Sequence, residues 1–391
     1  MSKRKRQADK TICVNEYSTS WLKKGFDWVY PKEITKKPAN LKKGSIVTIY
    51  SKQHECLGVG VFASGKVAIR RFRSDSGPLD KAFFAQRLTS ALTLRKGFTP
   101  AMAWRWVHGE NDFLPGIRVD VWGRHLTITL GCASLKTILP PLLEAISTIF
   151  DAASTWGYIR DENVTSLGLL QGSSPAEDVI VTEGECRYLI QLDRSPDCGL
   201  FSDMRNLRQW LQPLVKKQKL LNLFCFTGAF SVAAAQAGAS KTVSVDISPT
   251  YIEWTKNNFL LNSLDLHQHE FIIADSLKAL DRFRRKKNNF DIVIADPPSF
   301  SHGPSGQWSV QRNFTALVAS CLRVLKPGGL LVVATNYGKM SPKEFNKAVR
   351  DGADRVKRSL RILHQYHPPM DFPAALAFPE SRYLKCWVLQ G

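Results

Sequence analysis

The sequence lacks the features of membrane-spanning, secreted and disulfide-bonded proteins. In 391 residues no apolar run approaches the ~18 residues of a spanning helix, so no membrane partner is expected. The N-terminal MSKRKRQADK is basic, but no apolar segment follows it, unlike a secretory signal. The eight cysteines are scattered without a C-x-x-C pair. We therefore expect free thiols in the cytoplasm, and neither disulfides nor a metal site.

Acidic residues are also scarce. Asp plus Glu number 34 against 54 Lys plus Arg, which gives a formal net charge of +20. Hydrophobic residues make up 44% of the chain, which suits folded domains rather than disorder. The charge excess predicts a polyanionic partner, of which nucleic acid is the commonest. The basic run at 3–6 is either a nuclear address or a solvated arm.

Sequence patterns divide the chain into three blocks. Residues 1–75 hold short strands separated by turns, such as GSIVTIYS, CLGVGVFA and KVAIRRFR, and predict a small β-barrel. Its residues Arg70, Arg71 and Arg73 form either an RNA-binding face or an ordinary solvated strand face. Residues 76–195 mix helical and strand patterns, which predicts an α+β domain. Residues 196–391 alternate strands and helices, as a parallel α/β sheet does.

Local end signals mark the helices of the third block. Ser248 followed by Pro249, and Ser341 followed by Pro342, predict two helix starts. Gly238 falls where a C-terminal cap belongs, after an Ala-rich helix. The segment KPGG at 326–329 is expected to close another helix before the strand LLVVATN.

The strand ends lack a dinucleotide fingerprint and a P-loop. The segment NLFCFTGAF has a tight turn at Thr227–Gly228, but no G-x-G-x-x-G and no lysine for a pyrophosphate. Later strands end in Asp246, suited to ribose hydroxyls, in Asp275, suited to an adenine amino group, and in Asp296. Carboxylates without phosphate clamps predict S-adenosylmethionine (SAM). The predicted cofactor contacts are Phe224, Thr227, Gly228, Ala229, Asp246, Ile247, Asp275, Ser276 and Asp296.

Longer segments resemble known families. LNLFCFTGAFSVAAAQAGASKTVSVDIS and ADPPSF resemble motifs of class I methyltransferases. LKKGFDWVYPKEI, WVHGENDFLPGIRVDVWG and GLFSDMRNLRQWL are similar to the large-subunit rRNA methyltransferase I family. That resemblance implies a PUA barrel, a small middle domain and a Rossmann-like α/β methyltransferase domain, with a mostly parallel sheet and an antiparallel last strand. It also implies an rRNA substrate, free or in a precursor particle. Ser202 and Met204 depart from the family pattern beside Asp203 and Arg205.

The segment ADPPSF ends an apolar strand in a stiff, donor-poor turn. In the resembled family the target base lies beside this turn, so Asp296 is expected to hold either the methionine tail or an amino group of the base. Phe300 either stacks on an extruded base or belongs to the core. The predicted substrate contacts are Asp203, Arg205, Pro297, Pro298, Ser299, Phe300 and Tyr337.

The residue after the fifth strand indicates which base is methylated. Methylation at carbon-5 of cytosine needs a cysteine thiolate. By resemblance, the cytosine-methylating members of the family carry that cysteine at the end of the fifth strand, where this chain has Asn336. Cys225 and Cys321 lie elsewhere. VDISPTYIEWTKNNFLLN, DPPSFS and VQRNFTALVASCLRVLKPGG resemble the guanine-N7 half of the bifunctional rRNA methyltransferase K/L. We therefore predict guanine N7 as the target, with Asp296 and Asn336 as catalytic residues.

Other functions stay open at this point. They are a 5-methylcytosine rRNA methyltransferase, a small-molecule methyltransferase, and a non-catalytic RNA-binding assembly factor. The barrel and the positive charge argue against the second. The intact Asp246, Asp275 and Asp296 argue against the third. A homodimer is one of the oligomeric states that the sequence allows.

Overall fold

The computed structural model describes residues 10–63, 65–97, 102–303 and 306–391, without the side chains of 301–303 and 306–307. The basic run at 3–6 lies outside these residues. Among the described helices, none combines the length and apolar character needed to cross a membrane. The chain divides into two compact units: residues 1–177, 191–198 and 370–381 form unit 1, and residues 178–190, 199–369 and 382–391 form unit 2.

Unit 1 contains two sheets. The six-stranded sheet has the order β2-β6-β5-β4-β1-β3, and the five-stranded sheet the order β11-β10-β9-β8-β7. The strands are β1 Thr11–Val14, β2 Trp28–Val29, β3 Ile34–Lys36, β4 Ile46–Tyr50, β5 Cys56–Phe62, β6 Ile69–Arg73, β7 Ala103–His108, β8 Ile117–Trp122, β9 His125–Leu130, β10 Ser154–Arg160 and β11 Val164–Gly172. The helices are α1 Glu16–Lys23, α2 Lys81–Arg95 and α3 Leu139–Ser147.

One arginine of the first sheet, Arg71, is held inside the domain. Arg71 is buried, and its guanidinium donates to Asp27 and to the carbonyls of Leu57 and Leu22. Arg73 donates to Asp75 and to the carbonyl of Pro78. A buried guanidinium needs such partners, because an unpaired one would carry a large desolvation cost. The guanidinium of Arg71 is therefore used inside the domain, whereas the Arg73 side chain is partly exposed, and an RNA-binding role of this strand face stays a prediction.

The second sheet is amphipathic. Alternate residues of β8, namely Ile117, Val119 and Val121, enter an apolar core with residues of α2 and α3. The intervening Asp120 lies on the opposite face and pairs with Arg105 of β7 at 2.8 Å. Period-two alternation in a sheet with one apolar face explains this pattern.

In its described residues, unit 2 contains the two-stranded pairs β12-β13 and β18-β19 and a seven-stranded sheet with the order β16-β15-β14-β17-β20-β22-β21. Its strands are β12 Val179–Glu183, β13 Cys186–Ile190, β14 Lys219–Leu223, β15 Lys241–Asp246, β16 Glu270–Ile273, β17 Phe290–Ala295, β18 Phe300–Gly303, β19 Gly306–Ser309, β20 Leu325–Thr335, β21 Arg361–Tyr366 and β22 Lys385–Gln390. Its helices are α4 Arg205–Leu211, α5 Ala229–Gln236, α6 Pro249–Leu261, α7 Ser276–Arg285, α8 Val310–Val324 and α9 Pro342–Asp354.

The central strands of this sheet are apolar on both faces. On β17, Val293 and Ala295 pack into a core with α7, α8 and α9, while Ile292 and Ile294 pack into a second core with α4 and α5. Helices on both faces explain why β17 reads as a continuous apolar run rather than an alternating one. Strands β14 to β17 and β20 run parallel, and β22 is antiparallel to β20.

The local end signals are confirmed. The Ser248 hydroxyl accepts from the N–H of Tyr251 at the start of α6, and Ser341 forms a reciprocal capping box with Glu344 at the start of α9. Gly238 follows α5 with a φ of +86°. These signals act within four residues, so tertiary packing has little opportunity to override them.

One predicted boundary is wrong. Helix α8 ends at Val324, and KPGG lies inside β20 rather than before it. The pairing of β17 with β20 shifts between Phe290–Leu325 and Ile292–Leu330, so the extra residues bulge out of the ladder. Gly328 has a φ of +73°, which permits the bulge.

Candidate functional site

The site lies at the carboxyl ends of the parallel strands of unit 2. Strand β14 has β15 on one side and β17 on the other, and the strand order reverses between β14 and β17. In an open α/β sheet, ligands bind outside such a reversal, where loops leave in opposite directions. The loops after β14, β15, β16, β17 and β20 carry most of the site residues predicted from the sequence.

The loop after β14 has an unusual backbone. Phe224 and Phe226 have φ values of +54° and +52°, and Gly228 has +76°. Left-handed backbone is costly for bulky residues and concentrates at functional sites. At Gly228 a Cβ atom would come within 2.3 Å of the Thr255 Cγ2 atom, so only glycine fits there.

Other loop residues support the loop from within. Thr227 is fully buried, and its hydroxyl donates to the carbonyl of Gly199 at 2.5 Å. Ala229 begins α5, and its carbonyl accepts from the Tyr188 hydroxyl at 3.2 Å. The Thr227 side chain is thus used to hold the loop, and its carbonyl accepts from the Asn258 amide at 2.9 Å.

Asp246 joins this loop to the end of β15. Its carboxylate accepts from the N–H groups of Phe226 at 3.0 Å and Ser248 at 2.9 Å. Burial raises the pKa of Asp246 despite these bonds. Each carboxylate oxygen has a second lone pair, so the group retains acceptor capacity for ribose hydroxyls. The next residue, Ile247, is exposed.

Asp275 is the N-cap of α7. Its Oδ1 atom accepts from the N–H groups of Leu277 at 2.9 Å and Lys278 at 3.0 Å, and Ser276 is buried behind it. The Oδ2 atom has no hydrogen bond among the residues the structure describes. Asp275 is therefore both a helix cap and a carboxylate with a free acceptor, as the sequence interpretation requires.

Asp296, at the end of β17, is the most perturbed carboxylate of the site. It is half-buried and makes no hydrogen bond with the described part of the chain. Burial and the like charge of Asp203 raise its pKa to about 7. A cationic or N–H-bearing ligand would stabilise the charged form of such a carboxylate, because the ligand replaces the water that burial removes.

Asp203 is held close to Asp296 by two tyrosines. Its carboxylate accepts from the Tyr383 hydroxyl at 2.6 Å, and its carbonyl accepts from the Tyr366 hydroxyl at 2.6 Å. Arg205, at the start of α4, is buried. The two aspartates approach from segments about ninety residues apart, so their proximity is a tertiary feature.

The turn after Asp296 meets the end of β20. Pro297 is buried, and the carbonyl of Pro298 accepts from the Trp308 indole at 2.8 Å. The Ser299 hydroxyl donates to the Oδ1 atom of Asn336 at 2.9 Å. The amide nitrogen of Asn336 makes no hydrogen bond to any described residue, and the side chain is exposed. The predicted catalytic asparagine thus keeps its donors available.

Phe300 resolves an alternative that the sequence leaves open. Its side chain is 57% exposed, and its ring contacts that of Tyr337 edge to face at 5.2 Å. It is therefore not a core residue, and its face is available for stacking.

Sequence reasoning missed Lys385, the first residue of β22. It pairs with Thr335 across the ladder, so it lies beside the end of β20. The residue is buried, its ammonium donates to the Tyr337 carbonyl at 2.8 Å, and burial lowers its pKa. A lysine opening an otherwise apolar strand, as in LKCWVLQ, is the sequence signal that could have found it.

The sequence interpretation also omitted an aromatic group around the first loop. The Phe226 ring contacts Phe201 at 5.1 Å, Tyr251 at 4.6 Å and Trp254 at 6.3 Å, and Phe224 contacts Trp308 at 5.7 Å. The sequence signal is weak: GLFSDM contributes one aromatic residue, and SPTYIEW contributes two. It fixes the strained loop by packing rather than by hydrogen bonds.

Three cysteines of the seven-stranded sheet, its loops and its helices are poorly suited to nucleophilic attack. Cys225 and Cys321 are buried, and burial raises the pKa of both thiols far above the usual value. Cys386 is buried as well, and the charges of Asp296 and Asp203 raise its pKa further. Since the thiolate is the reactive form, none of these three is activated.

The residues present fit SAM. An adenosine moiety needs acceptors for ribose hydroxyls and an amino group, and Asp246 and Asp275 have acceptor atoms to spare. The sulfonium and the ammonium of the methionine tail are cations, and Asp296 is a carboxylate at the same sheet edge without a hydrogen-bond partner among the described residues. When bound, SAM supplies an activated methyl group.

Comparisons with known proteins agree with this geometry. Residues 160–380 match the family described as S-adenosylmethionine-dependent methyltransferase, and residues 12–73 match a PUA-like domain. Two similar curated proteins, from Aeromonas salmonicida (strain A449) and Tolumonas auensis, are both named ribosomal RNA large subunit methyltransferase I. The first is 28% identical over 93% of this chain and 95% of its own length, and the second 28% over 97% and 99%.

Solved structures share the fold. A SAM-dependent methyltransferase from Streptococcus mutans superposes with a TM-score of 0.87, at 24% identity, over 98% of this chain and all of that one. A methyltransferase solved in complex with SAH gives a TM-score of 0.89, also at 24% identity and with the same coverage. The predicted Rossmann-like fold, PUA-like domain, enzyme class and SAM cofactor are confirmed. With the family match spanning more than half of its length, the chain belongs to the S-adenosylmethionine-dependent methyltransferases.

Proposed function

We propose that this enzyme methylates a base of large-subunit rRNA, and that the base is guanine, at N7. The rRNA substrate is supported by the names of the relatives, by the PUA-like domain and by the net charge of +20. The choice of N7 is carried by one observation. Asn336 is an exposed amide that cannot form a covalent adduct, and the family resemblance places it where the cytosine enzymes carry their cysteine.

The reaction at N7 needs no covalent help from the protein. SAM would supply the methyl group, and N7 carries a lone pair that can accept it without activation by the protein. The positive charge passes to the guanine ring. The protein must align the two reactants and exclude water, and the ionised form of Asp296 stabilises the cationic product.

We assign the remaining residues by their surroundings. Phe224, the Thr227–Ala229 backbone, Asp246, Ile247, Asp275 and Ser276 bind the adenosine part. On the base side, the charge of Asp203 raises the pKa of the neighbouring Asp296, and the Pro297–Pro298 turn forms a rigid wall. Ser299 orients Asn336 through its hydroxyl, so that the amide nitrogen donates to the guanine edge. Phe300 stacks on the base, supported by Tyr337. Arg205, being buried, supports the segment that carries Asp203.

Three further predictions stand beside this proposal. The division into a barrel (1–75), a middle domain (76–195) and a methyltransferase domain (196–391) stays a prediction. So do a cytoplasmic location and a homodimer.

The product decides between the candidate functions. Large-subunit rRNA from a deletion strain, incubated with enzyme and SAM, should acquire borohydride-and-aniline scission at one guanine. RNA treated with Asp296→Asn should show little or none. Substrate containing 5-fluorocytidine should leave no covalent complex, and Cys386→Ser should retain activity. A stable complex with that substrate would establish the cytosine reaction instead. Methylation of metabolites without rRNA would establish a small-molecule enzyme.

A further inference from the structure

Unit 1 carries a continuous group of aromatic rings that leads from its interior to solvent. We call it the aromatic platform, and its members are Tyr17, Trp21, Phe26, Trp28, Tyr30 and Phe378. At its inner end, Phe26 stacks on Phe378 at 5.4 Å and meets Trp28 edge-on at 6.0 Å. At its outer end, Trp21 contacts Phe26 at 5.7 Å and Tyr17 contacts Trp21 at 6.1 Å.

The outer two rings belong to helix α1 but not to its packing face. Tyr17 and Trp21 are four residues apart and therefore share one side of the helix. They are 62% and 40% exposed, whereas Ser18 and Leu22 form the buried side. The helix start is secured separately, because the Asn15 side chain accepts from the Ser18 N–H at 2.9 Å. Helix formation therefore does not account for two large rings in solvent.

The charge around the platform is positive. Residues 10–63 contain nine lysines and four carboxylates. Two of those carboxylates serve internal bonds, since Asp27 pairs with Arg71 and Glu33 accepts from the Ser18 hydroxyl and the Tyr30 N–H. The Lys24 ammonium lies 5.6 Å from the centre of the Trp21 ring. Rings exposed among cations suit a partner with flat π-systems and a polyanionic backbone.

We propose that Tyr17 and Trp21 stack on unpaired bases of the RNA substrate, while the surrounding lysines contact its phosphates. Inner platform rings hold Trp21 in place, so the outer rings lose little freedom on binding. This inference rests on the proposed rRNA substrate and names a surface of unit 1 that binds it.

The test distinguishes RNA binding by stacking on aromatic rings from RNA binding by general apolar contact. Tyr17→Leu/Trp21→Leu keeps bulky apolar side chains, and Tyr17→Phe/Trp21→Phe keeps the rings. Binding to a single-stranded RNA oligonucleotide and to large-subunit rRNA is measured by fluorescence anisotropy at fixed salt. We expect the leucine pair to bind about tenfold or more weakly. The phenylalanine pair should stay within about threefold of wild type. The salt dependence of binding should not change, because every lysine remains.

Two controls accompany these variants. SAM affinity, measured by calorimetry, should be equal in all proteins, which shows that unit 2 is intact. Leu376→Ala removes an apolar side chain that is 89% exposed on the same unit and should leave RNA binding unchanged.

Wild-type affinity in the leucine pair, or equal losses in the leucine and phenylalanine pairs, would overturn the stacking proposal. Retained affinity in the leucine pair would instead suit a protein partner that uses the surface as an apolar contact. If wild-type enzyme methylates rRNA in these cases, the proposed function stands and only the platform fails. If wild-type enzyme neither binds nor methylates rRNA, the proposed function fails first.

Discussion

Replacing Asp296 with asparagine should stabilise the protein at high pH. Burial and the neighbouring charge of Asp203 raise the pKa of Asp296 from 3.8 to about 7. That change corresponds to about 4 kcal/mol between its neutral and charged forms. Partial exposure of the carboxylate to solvent keeps the measurable effect below this figure. The charged carboxylate of Asp296 therefore lowers the stability of the folded protein, as functional groups commonly do.

The sign of the pH dependence follows from the two pKa values. Between about pH 4 and pH 7, unfolded chains have lost the proton that folded chains keep. The free energy of unfolding contributed by this group therefore falls as pH rises through that window and is constant above it. Asparagine cannot ionise, so Asp296→Asn should match the wild type near pH 4.5 and exceed its stability at pH 8.

Urea unfolding at the two pH values measures this difference, with the transition of unit 2 followed by hydrogen exchange of its central strands. Asp281→Asn is the matched control. Asp281 lies on α7 in solvent, and a hydrogen bond from Arg284 lowers its pKa, so its replacement should bring no gain at pH 8. An equal stability difference between Asp296→Asn and wild type at both pH values would refute the argument that Asp296 is desolvated.

Three further substitutions test other parts of the site. Asp246→Ala should weaken SAM binding by roughly 1.5–3 kcal/mol in calorimetry while RNA affinity stays the same; unchanged SAM affinity would contradict the ribose assignment. Gly228→Ala should lower the free energy of unfolding by about 1–3 kcal/mol and impair SAM binding, because of its positive φ and the contact with Thr255; Gly184→Ala, in an open hairpin turn, is its control. Lys385→Met should reduce kcat about tenfold with little change in SAM affinity, because the lysine holds the Tyr337 carbonyl. A normal kcat in this variant would show that Lys385 only contributes to packing.

Much of unit 2 could be predicted from short segments. The caps at Ser248 and Ser341 depend on hydrogen bonds within one helical turn, so local sequence suffices to locate them. Apolar runs such as FDIVIA indicate buried parallel strands, and parallel strands place their carboxyl ends on one edge. For that reason the positions of Asp246, Asp275 and Asp296 in the sequence suffice to assign them to a common sheet edge.

Other features depend on contacts between distant segments, and no local pattern encodes them. The closeness of Asp203 to Asp296, and the raised pKa that follows, arises only when α4 packs on the sheet. The position of Lys385 beside Tyr337 depends on the antiparallel pairing of β22 with β20. In the sequence the arginines of β6 look like a basic face, and only the fold shows that acceptors surround Arg71. The sequence by itself thus determined the fold class, the sheet edge and the cofactor, whereas burial and long-range pairing decided the charge state and the partners of the side chains there.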